Sequence, residues 1–214
     1  MAWRSHGTSN STLIASLQRN SLIKTPLVAA AMLSIDRAHF VPDSSSAYRD
    51  SPQSIGHAAT ISAPHMHAAA CEALLEYLYV GARVLDVGSG SGYLTAVLGA
   101  LVLGGRERVG EGESEGESDG PPGGRGGLVV GVEHIEALRA MGEANTGKSE
   151  VGREWLGIGK VKFVLWDGRR GWREGGPWDA IVSLVDMSIS PFFLFSPVSG
   201  RTGIGVLVLR KTLS

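Results

Sequence analysis

Apolar residues recur along this chain in two patterns, runs typical of buried strands and spacings typical of helices. Strand-like runs cover 84–87, 128–132, 161–166 and 178–184, and helical spacing covers 9–20, 25–37, about 66–78, 93–103 and 135–143. Strands that alternate with helices form parallel sheets. The order therefore predicts an α/β fold, a doubly wound, Rossmann-like, mostly parallel sheet with helices on both faces.

The stretch 40–64 follows neither pattern, because prolines, a triple serine and Gly56 interrupt it. We expect a long loop there, and long loops in compact domains tend to be functional. Its last residues run into Pro64-His-Met-His67, at the start of a predicted helix. Polar side chains and free N–H groups at a helix N-terminus suit a carboxylate.

Glycine, glutamate and serine dominate 104–127, which has no aromatic residue. Such a composition buries too little apolar surface to fold, so it predicts a disordered surface insertion. The 214 residues otherwise suit one domain. We divide it into N-terminal helices with the substrate loop (1–64), a central part that carries the insertion, and a divergent tail (182–214).

The formal net charge of −1 gives no footprint for nucleic acid or an anionic membrane. Cys71 is the only cysteine, so the chain forms no internal disulfide, and a reducing compartment is expected. No apolar run reaches the ~18 residues that span a bilayer. We therefore expect a cytoplasmic monomer that contacts neither nucleic acid nor membrane.

The first strand-like run leads into a turn with glycine at 88, 90 and 92, and a helix follows directly. This arrangement is typical of nucleotide-binding proteins, although a tight connection without a ligand has the same pattern. The dinucleotide fingerprint requires glycine where this chain has Tyr93. The string Asp86-x-Gly-x-Gly-x-Gly92 is instead similar to the first motif of S-adenosylmethionine-dependent methyltransferases. Glu133 ends the next strand, where a carboxylate accepts hydrogen bonds from a cofactor ribose.

Three strings together carry a family resemblance: Asp50-Ser-Pro-Gln-Ser-Ile-Gly56, Ala59-Thr-Ile-Ser-Ala-Pro-His-Met-His67 and Leu85-Asp-Val-Gly-Ser-Gly-Ser-Gly92. They resemble protein-L-isoaspartate O-methyltransferases. The resemblance implies an S-adenosyl-L-methionine-dependent enzyme that methylates the free carboxylate of L-isoaspartyl residues in damaged proteins and peptides. It implies Ser62 as the catalytic residue. The cofactor-binding residues that it implies are Ala59, Thr60, Ile61, Ser62, His67, Asp86, Gly88, Ser89, Gly90, Ser91, Glu133, His134, Asp167 and Gly168.

Without the family strings, several of these residues have plainer interpretations. A hydroxyl before a helix, such as that of Ser62, is most often a helix cap. Asp167 and Gly168 fit an ordinary turn after a strand. The four residues His57, His65, His67 and Cys71 match no metal-ligand spacing, and we expect no metal. The string 142–149 satisfies the P-loop pattern, but it follows a predicted helix rather than a strand, which excludes it.

The tail resembles the family least. The family's last strands carry a threonine and a glutamine implied in cofactor contact, and 182–214 contains no matching segment. We expect an incomplete set of C-terminal strands, which puts activity in doubt. Two alternatives therefore stay open: a catalytically inactive or truncated cofactor-binding relative, and a small-molecule methyltransferase.

Overall fold

The structure, a computed structural model, describes residues 5–104 and 126–183. Within them the helices are α1 (Asn10–Arg19), α2 (Pro26–Ser34), α3 (Pro64–Leu74), α4 (Tyr93–Leu103), α5 (Glu136–Thr146) and α6 (Glu150–Gly157). The strands are β1 (Gln53–Gly56), β2 (Ala59–Ile61), β3 (Arg83–Val87), β4 (Leu128–Glu133), β5 (Val161–Leu165) and β6 (Ala180–Ser183). Short 3₁₀ turns cover Arg37–Phe40, Ser44–Ser46, Leu75–Tyr77 and Gly168–Arg170.

Strands β3 to β6 form a sheet in the order β5-β4-β3-β6, and each neighbouring pair is parallel. The chain steps outward from β3 to β4 and β5, and then returns to the other side of β3 with β6. The order reverses at β3, and ligands of such sheets bind at the carboxyl ends of the strands beside this point. The predicted α/β class and parallel sheet are confirmed.

The two faces of the sheet are covered differently. Val84, Val129 and Val161 belong to a core that includes residues from all six described helices. On the other face, Leu85 and Val130 belong to a separate cluster against which Trp172 and Trp178 pack. Among the described residues, therefore, the helices cover one face, and the segment between β5 and β6 covers the other.

The N-terminal helices begin as their sequences predict. Ser9 caps α1 through a reciprocal capping box with Thr12. Thr25 stands at the N-cap of α2, but its side chain does not cap that helix. Its backbone N–H and its hydroxyl instead donate to Glu72 Oε1 of α3, at 2.9 and 3.0 Å. The predicted cap thus joins two helices.

Three predictions about element boundaries were wrong. The expected loop 40–64 contains an antiparallel hairpin, β1–β2, whose turn residues His57 and Ala58 both have positive φ. Helix α3 begins at Pro64 and ends at Leu74, earlier at both ends than predicted. Proline is well suited to the first helical position, which explains the earlier start.

The P-loop pattern at 142–149 does not follow a strand, as predicted, because the residues before it belong to helix α5. Helix α5 runs on to Thr146, and Ser149 caps the next helix, α6, by accepting a hydrogen bond from the Gly152 N–H. The pattern did not predict α6. Lys148, the P-loop-like lysine, donates to the carbonyl of His39 and to Asn145 Oδ1, both at 2.7 Å. This lysine therefore links α5 to the turn after α2.

Two predictions concern residues that the structure largely does not describe. The predicted disordered insertion, 104–127, lies outside the described residues except at its ends, and so does the tail beyond Ser183. In the part of the chain that the structure does describe, no helix has the length and apolarity needed to cross a membrane.

Candidate functional site

The turn between β3 and α4 is a backbone loop with three left-handed glycines. Gly88, Gly90 and Gly92 have φ values of 82°, 51° and 86°. The N–H groups of Gly88 and Ser89 both donate to the carbonyl of Val132, at 2.9 and 3.1 Å, which ties the turn to β4. The turn is thus fixed over the ends of the two central strands.

Asp86 lies beneath this turn and is 2% exposed. Its Oδ2 accepts a hydrogen bond of 2.6 Å from the Thr95 hydroxyl of α4. Burial is the main reason why its pKa is raised from 3.8 to about 7, and Glu133 adds to this while Thr95 opposes it. Asp86 therefore exchanges a proton near neutral pH.

Glu133 ends β4, as predicted, and its carboxylate is held mainly by backbone. Oε2 accepts from the Gly90 N–H at 3.1 Å, and Oε1 accepts from the N–H groups of His134 and Ile135. The His134 ring also lies 2.9 Å from Oε1, but that ring is 72% exposed. These bonds fix the carboxylate beside the turn. Because each carboxylate oxygen accepts more than one hydrogen bond, Oε2 retains capacity for hydroxyl groups.

The segment from Thr60 to Ser62 lies across a pocket from the glycine turn. The residues that line this pocket are Thr60, Ile61, Ser62, His67, Asp86, Gly88, Ser89, Gly90, Ser91, Tyr93 and Leu94. Ile55 of the hairpin also approaches the turn, since its Cδ1 would lie 3.6 Å from a Cβ at Gly90. The hairpin thus brings together strings of sequence that are about 30 residues apart.

Ser62 does not cap α3, because the N-cap position belongs to Ala63 and no side chain caps the helix. The Ser62 hydroxyl makes no hydrogen bond to any described residue, and Ser62 lines the pocket. The helix-cap interpretation of Ser62 is therefore wrong. Ala59, at the start of β2, is half-buried and outside the pocket lining.

His67 is a buried member of the pocket wall, 4% exposed, and its ring packs edge-on against Tyr93 at 4.9 Å. Burial, and then the charge of Arg37, hold its pKa well below the usual histidine range. His67 is therefore neutral at neutral pH. Arg37 lies behind it, and sequence reasoning missed this residue because an arginine near a helix end has no local signature.

Asp167 and Gly168 follow β5 at the same edge of the sheet. Asp167 bonds to Arg169 through both carboxylate oxygens, at 2.9 and 2.8 Å, which lowers the pKa of Asp167 to about 2. A Cβ at Gly168 would clash with Val87 Cγ1, so only glycine fits over the end of β3. These two residues lie beside the glycine turn but outside the pocket lining, as do Glu133 and His134.

His65, one of the four residues considered as metal ligands, pairs with a carboxylate instead. His65 Nδ1 lies 2.8 Å from Oδ1 of the fully buried Asp50, which also accepts the His65 N–H. Asp50 thus joins the start of the hairpin segment to the first turn of α3. Among the described residues no three histidine, cysteine, aspartate or glutamate side chains gather as a metal site would require.

Comparison with known families agrees with this arrangement. The sequence model for protein-L-isoaspartate (D-aspartate) O-methyltransferases matches residues 8–191. This chain belongs to that family. The match spans both walls of the pocket, so the resemblance carried by the three sequence strings is confirmed.

Curated relatives support the assignment. A protein-L-isoaspartate O-methyltransferase of Caenorhabditis elegans is 42% identical over 181 residues, which cover 85% of this chain and 69% of the relative. Protein-L-isoaspartate O-methyltransferase 1 of Arabidopsis thaliana is 41% identical over 172 residues, covering 80% of this chain and 65% of the relative. The chain thus spans about two thirds of the length of these relatives.

A solved structure shares the fold. It comes from Plasmodium falciparum, is assigned to the same methyltransferase family and contains S-adenosyl-L-homocysteine. It superposes with a TM-score of 0.68 at 27% identity, and the match covers 83% of this chain and 74% of that one.

Proposed function

We propose that this chain transfers the methyl group of S-adenosyl-L-methionine to the free carboxylate of L-isoaspartyl residues in damaged proteins. One observation carries the proposal: a single pocket joins the acceptor segment, Thr60 to Ser62, to the glycine turn, Gly88 to Ser91. The family resemblance implies that Ser62 lies next to the acceptor carboxylate and that Gly88 to Ser91 hold the cofactor. The neighbouring structure with S-adenosyl-L-homocysteine supports the choice of cofactor.

The residues present fit that cofactor. Gly88, Gly90 and Gly92 have left-handed backbone conformations and no Cβ, which permits the close approach of a ligand to the turn. We assign Glu133, whose Oε2 retains capacity for hydroxyl groups, to the ribose. Asp167 and Gly168 are assigned to the adenine, and His134 to the rim of the same subsite. Asp86, Ser89 and His67, which line the pocket, are assigned to the methionine end of the cofactor.

When bound, the cofactor supplies an electrophilic methyl group on a sulfonium. An acceptor carboxylate is ionised at neutral pH and needs no strong base, so the task of the protein is positioning. We assign to the Ser62 hydroxyl, which bonds to no described residue, the role of donating a hydrogen bond to the acceptor carboxylate. The nearby N-terminus of α3 favours the same negative charge.

Two measurements on the full chain test the proposal. Calorimetric titration with S-adenosyl-L-homocysteine tests the cofactor site, and transfer of a labelled methyl group to an isoaspartyl peptide and its aspartyl twin tests the substrate. We expect binding, and labelling of the isoaspartyl peptide alone. Equal labelling of both peptides would contradict the repair function. Binding without transfer would identify an inactive relative, and labelling of small carboxylic acids alone would identify a small-molecule methyltransferase.

Variants test the role of Ser62. We expect Ser62→Ala to lower kcat/KM for the isoaspartyl peptide about tenfold or more, because it removes a hydrogen bond to a charged group. The matched control is Ser54→Ala, which changes an exposed serine of β1 in the same hairpin. Equal rates for both variants and the unsubstituted chain would remove Ser62 from the mechanism.

We further infer that the protein is a cytoplasmic monomer that binds isoaspartyl proteins and not nucleic acid or membrane. The near-zero net charge and the single, buried Cys71 support this inference. Light scattering of the purified chain tests the monomer, and a dimer mass would contradict it.

A further inference from the structure

Arg37 is a fully buried cation directly behind the proposed active site. It begins the 3₁₀ turn after α2, and none of its side chain is exposed to solvent. Burial lowers its pKa from 12.5 to about 10, so it stays protonated at neutral pH. It forms no salt bridge within the described residues. The negative charge of the buried Asp50 favours the protonated form of Arg37 without forming an ion pair with it. A buried charge without an ion pair is costly, and proteins rarely keep one without a reason.

The contacts of Arg37 reach three separate parts of the pocket wall. Nη2 donates to the carbonyl of Ser62 at 2.7 Å. Nη1 lies 3.4 Å from Nδ1 of His67 in α3. The guanidinium carbon lies 5.2 Å from the ring centre of Tyr93, the residue that follows the glycine turn. One side chain thus contacts the acceptor segment, the imidazole and the cofactor side of the pocket.

The contact with His67 selects one form of the imidazole. A guanidinium has only donors, so His67 Nδ1 must act as the acceptor and carry no proton. If Nδ1 carried the proton, two donors would face each other in a buried place. Because His67 is neutral, its single proton lies on Nε2. Nε2 makes no hydrogen bond to any described residue, and this atom is not fully buried. It is therefore open to the pocket that His67 lines.

We propose that Arg37 is a positioning residue that holds the Ser62 carbonyl in place and keeps the Nε2–H of His67 as a donor toward a carboxylate in the pocket. The inference rests on the proposed function. Arg37 thus sets both the position of the Ser62 backbone and the tautomer of His67, although it touches neither substrate nor cofactor. The carboxylate is the methionine carboxylate of the cofactor or that of the acceptor.

The experiment separates these two carboxylates and compares three variants. Arg37→Met removes the donors, and Arg37→Lys keeps the charge on a single donor nitrogen. Leu13→Ala makes a cavity in α1, away from the pocket, as a destabilised control. For each protein, long-range ¹H–¹⁵N NMR without ligand reports the His67 tautomer, with His67→Gln to assign the signal. Calorimetry gives Kd for S-adenosyl-L-homocysteine, and methyl transfer gives KM and kcat for the isoaspartyl peptide.

We expect a single Nε2–H tautomer at His67 in the unsubstituted chain and in Leu13→Ala, and a mixture of tautomers in Arg37→Met. Loss of a hydrogen bond to a carboxylate should weaken its ligand about tenfold or more. A rise in Kd for S-adenosyl-L-homocysteine assigns the bond to the cofactor, and a rise in peptide KM alone assigns it to the acceptor. Arg37→Lys should recover part of the loss.

Two results would overturn the proposal. An Nδ1–H tautomer in the unsubstituted chain would do so even if Arg37→Met did not fold. A folded Arg37→Met protein with the Nε2–H tautomer, and with Kd and KM within about twofold of the Leu13→Ala values, would do so as well. Failure of the unsubstituted chain to bind S-adenosyl-L-homocysteine would instead contradict the proposed function, while the tautomer measurement would still test Arg37.

Discussion

Individual side chains in this site owe their chemistry to burial and to backbone partners more than to one another. Glu133 is held by three N–H groups, from Gly90, His134 and Ile135. Asp86 has one side-chain donor, Thr95, and burial dominates its titration. Two buried carboxyls near the same turn therefore have different partners, and burial raises the pKa of Asp86 to about 7.

Asp86 should make the stability of the protein depend on pH. Its folded pKa of about 7 exceeds its unfolded value of 3.8, so between these values the folded state holds a proton that the unfolded chain releases. The free energy of unfolding should therefore fall as pH rises through this window, by up to about 1.4 kcal/mol per pH unit, and level off above it. Asp86→Asn lacks the titrating group, so its free energy of unfolding should not show this decrease with pH.

Urea unfolding between about pH 5 and about pH 8 measures both proteins. Asp43→Asn is the control, because hydrogen bonds from Ser45 lower the pKa of Asp43 and move its titration below this window. Its stability difference from the unsubstituted chain should stay constant with pH. The same constant difference for Asp86→Asn would show that Asp86 is ionised throughout.

At the scale of elements, the glycine turn depends on two further glycines and a phenylalanine beneath it. A Cβ at Gly92 would lie 2.8 Å from the backbone of Gly142 in α5 and 3.0 Å from the Phe163 ring. A Cβ at Gly131 in β4 would lie 2.9 Å from Ser89 Cβ. The turn, α5, β4 and β5 thus pack through small residues, and Gly142 of the P-loop pattern has a packing role.

Gly92→Ala should destabilise the protein more than its backbone angle alone explains. Gly81 provides the comparison, because its φ of 92° is close to the 86° of Gly92, yet a Cβ there would meet nothing within 4 Å. We expect Gly81→Ala to cost about 1 kcal/mol, and Gly92→Ala about 3 kcal/mol or more, since the second adds overpacking to the same strain. Urea unfolding measures both, and equal losses would show that α5 moves away freely.

At the scale of the whole molecule, the sheet brings the ends of the acidic insertion together. Leu103 Cδ2, in the last turn of α4, lies 2.8 Å from the position of a Cβ on Gly127, just before β4. The Gly81 N–H donates to Val102 at the same end of α4. The segment that leaves at Gly104 thus returns close to where it began, far from the carboxyl ends of the strands that form the site.

Replacing residues 105–125 by a short Gly/Ser linker should therefore change the melting temperature by less than about 2 °C, because loop-closure entropy depends weakly on length. A Gly/Ser segment of the original length is the control for composition. Calorimetric melting measures both proteins. A loss of several degrees in both would show that the native segment packs against the fold.

The site as a whole combines features with different origins in the sequence. The glycine turn, the strand that ends in Glu133 and the helix after Pro64 have local signatures, and each forms close to where the pattern predicts it. The hairpin was missed because its turn, Gly56-His57-Ala58, is not one of the usual Asn-Gly or Asp-Gly turns.

The sequence by itself determined the α/β class, the parallel strands, the glycine turn and the family, because periodicity, turn chemistry and family strings are all local properties. Only the tertiary structure decided that Ser62 faces the glycine turn rather than caps a helix, and that Arg37 lies behind both. The partners of Arg37 are 25 and 30 residues away along the chain. Such contacts exist only after helices, hairpin and sheet have packed, so no local pattern encodes them.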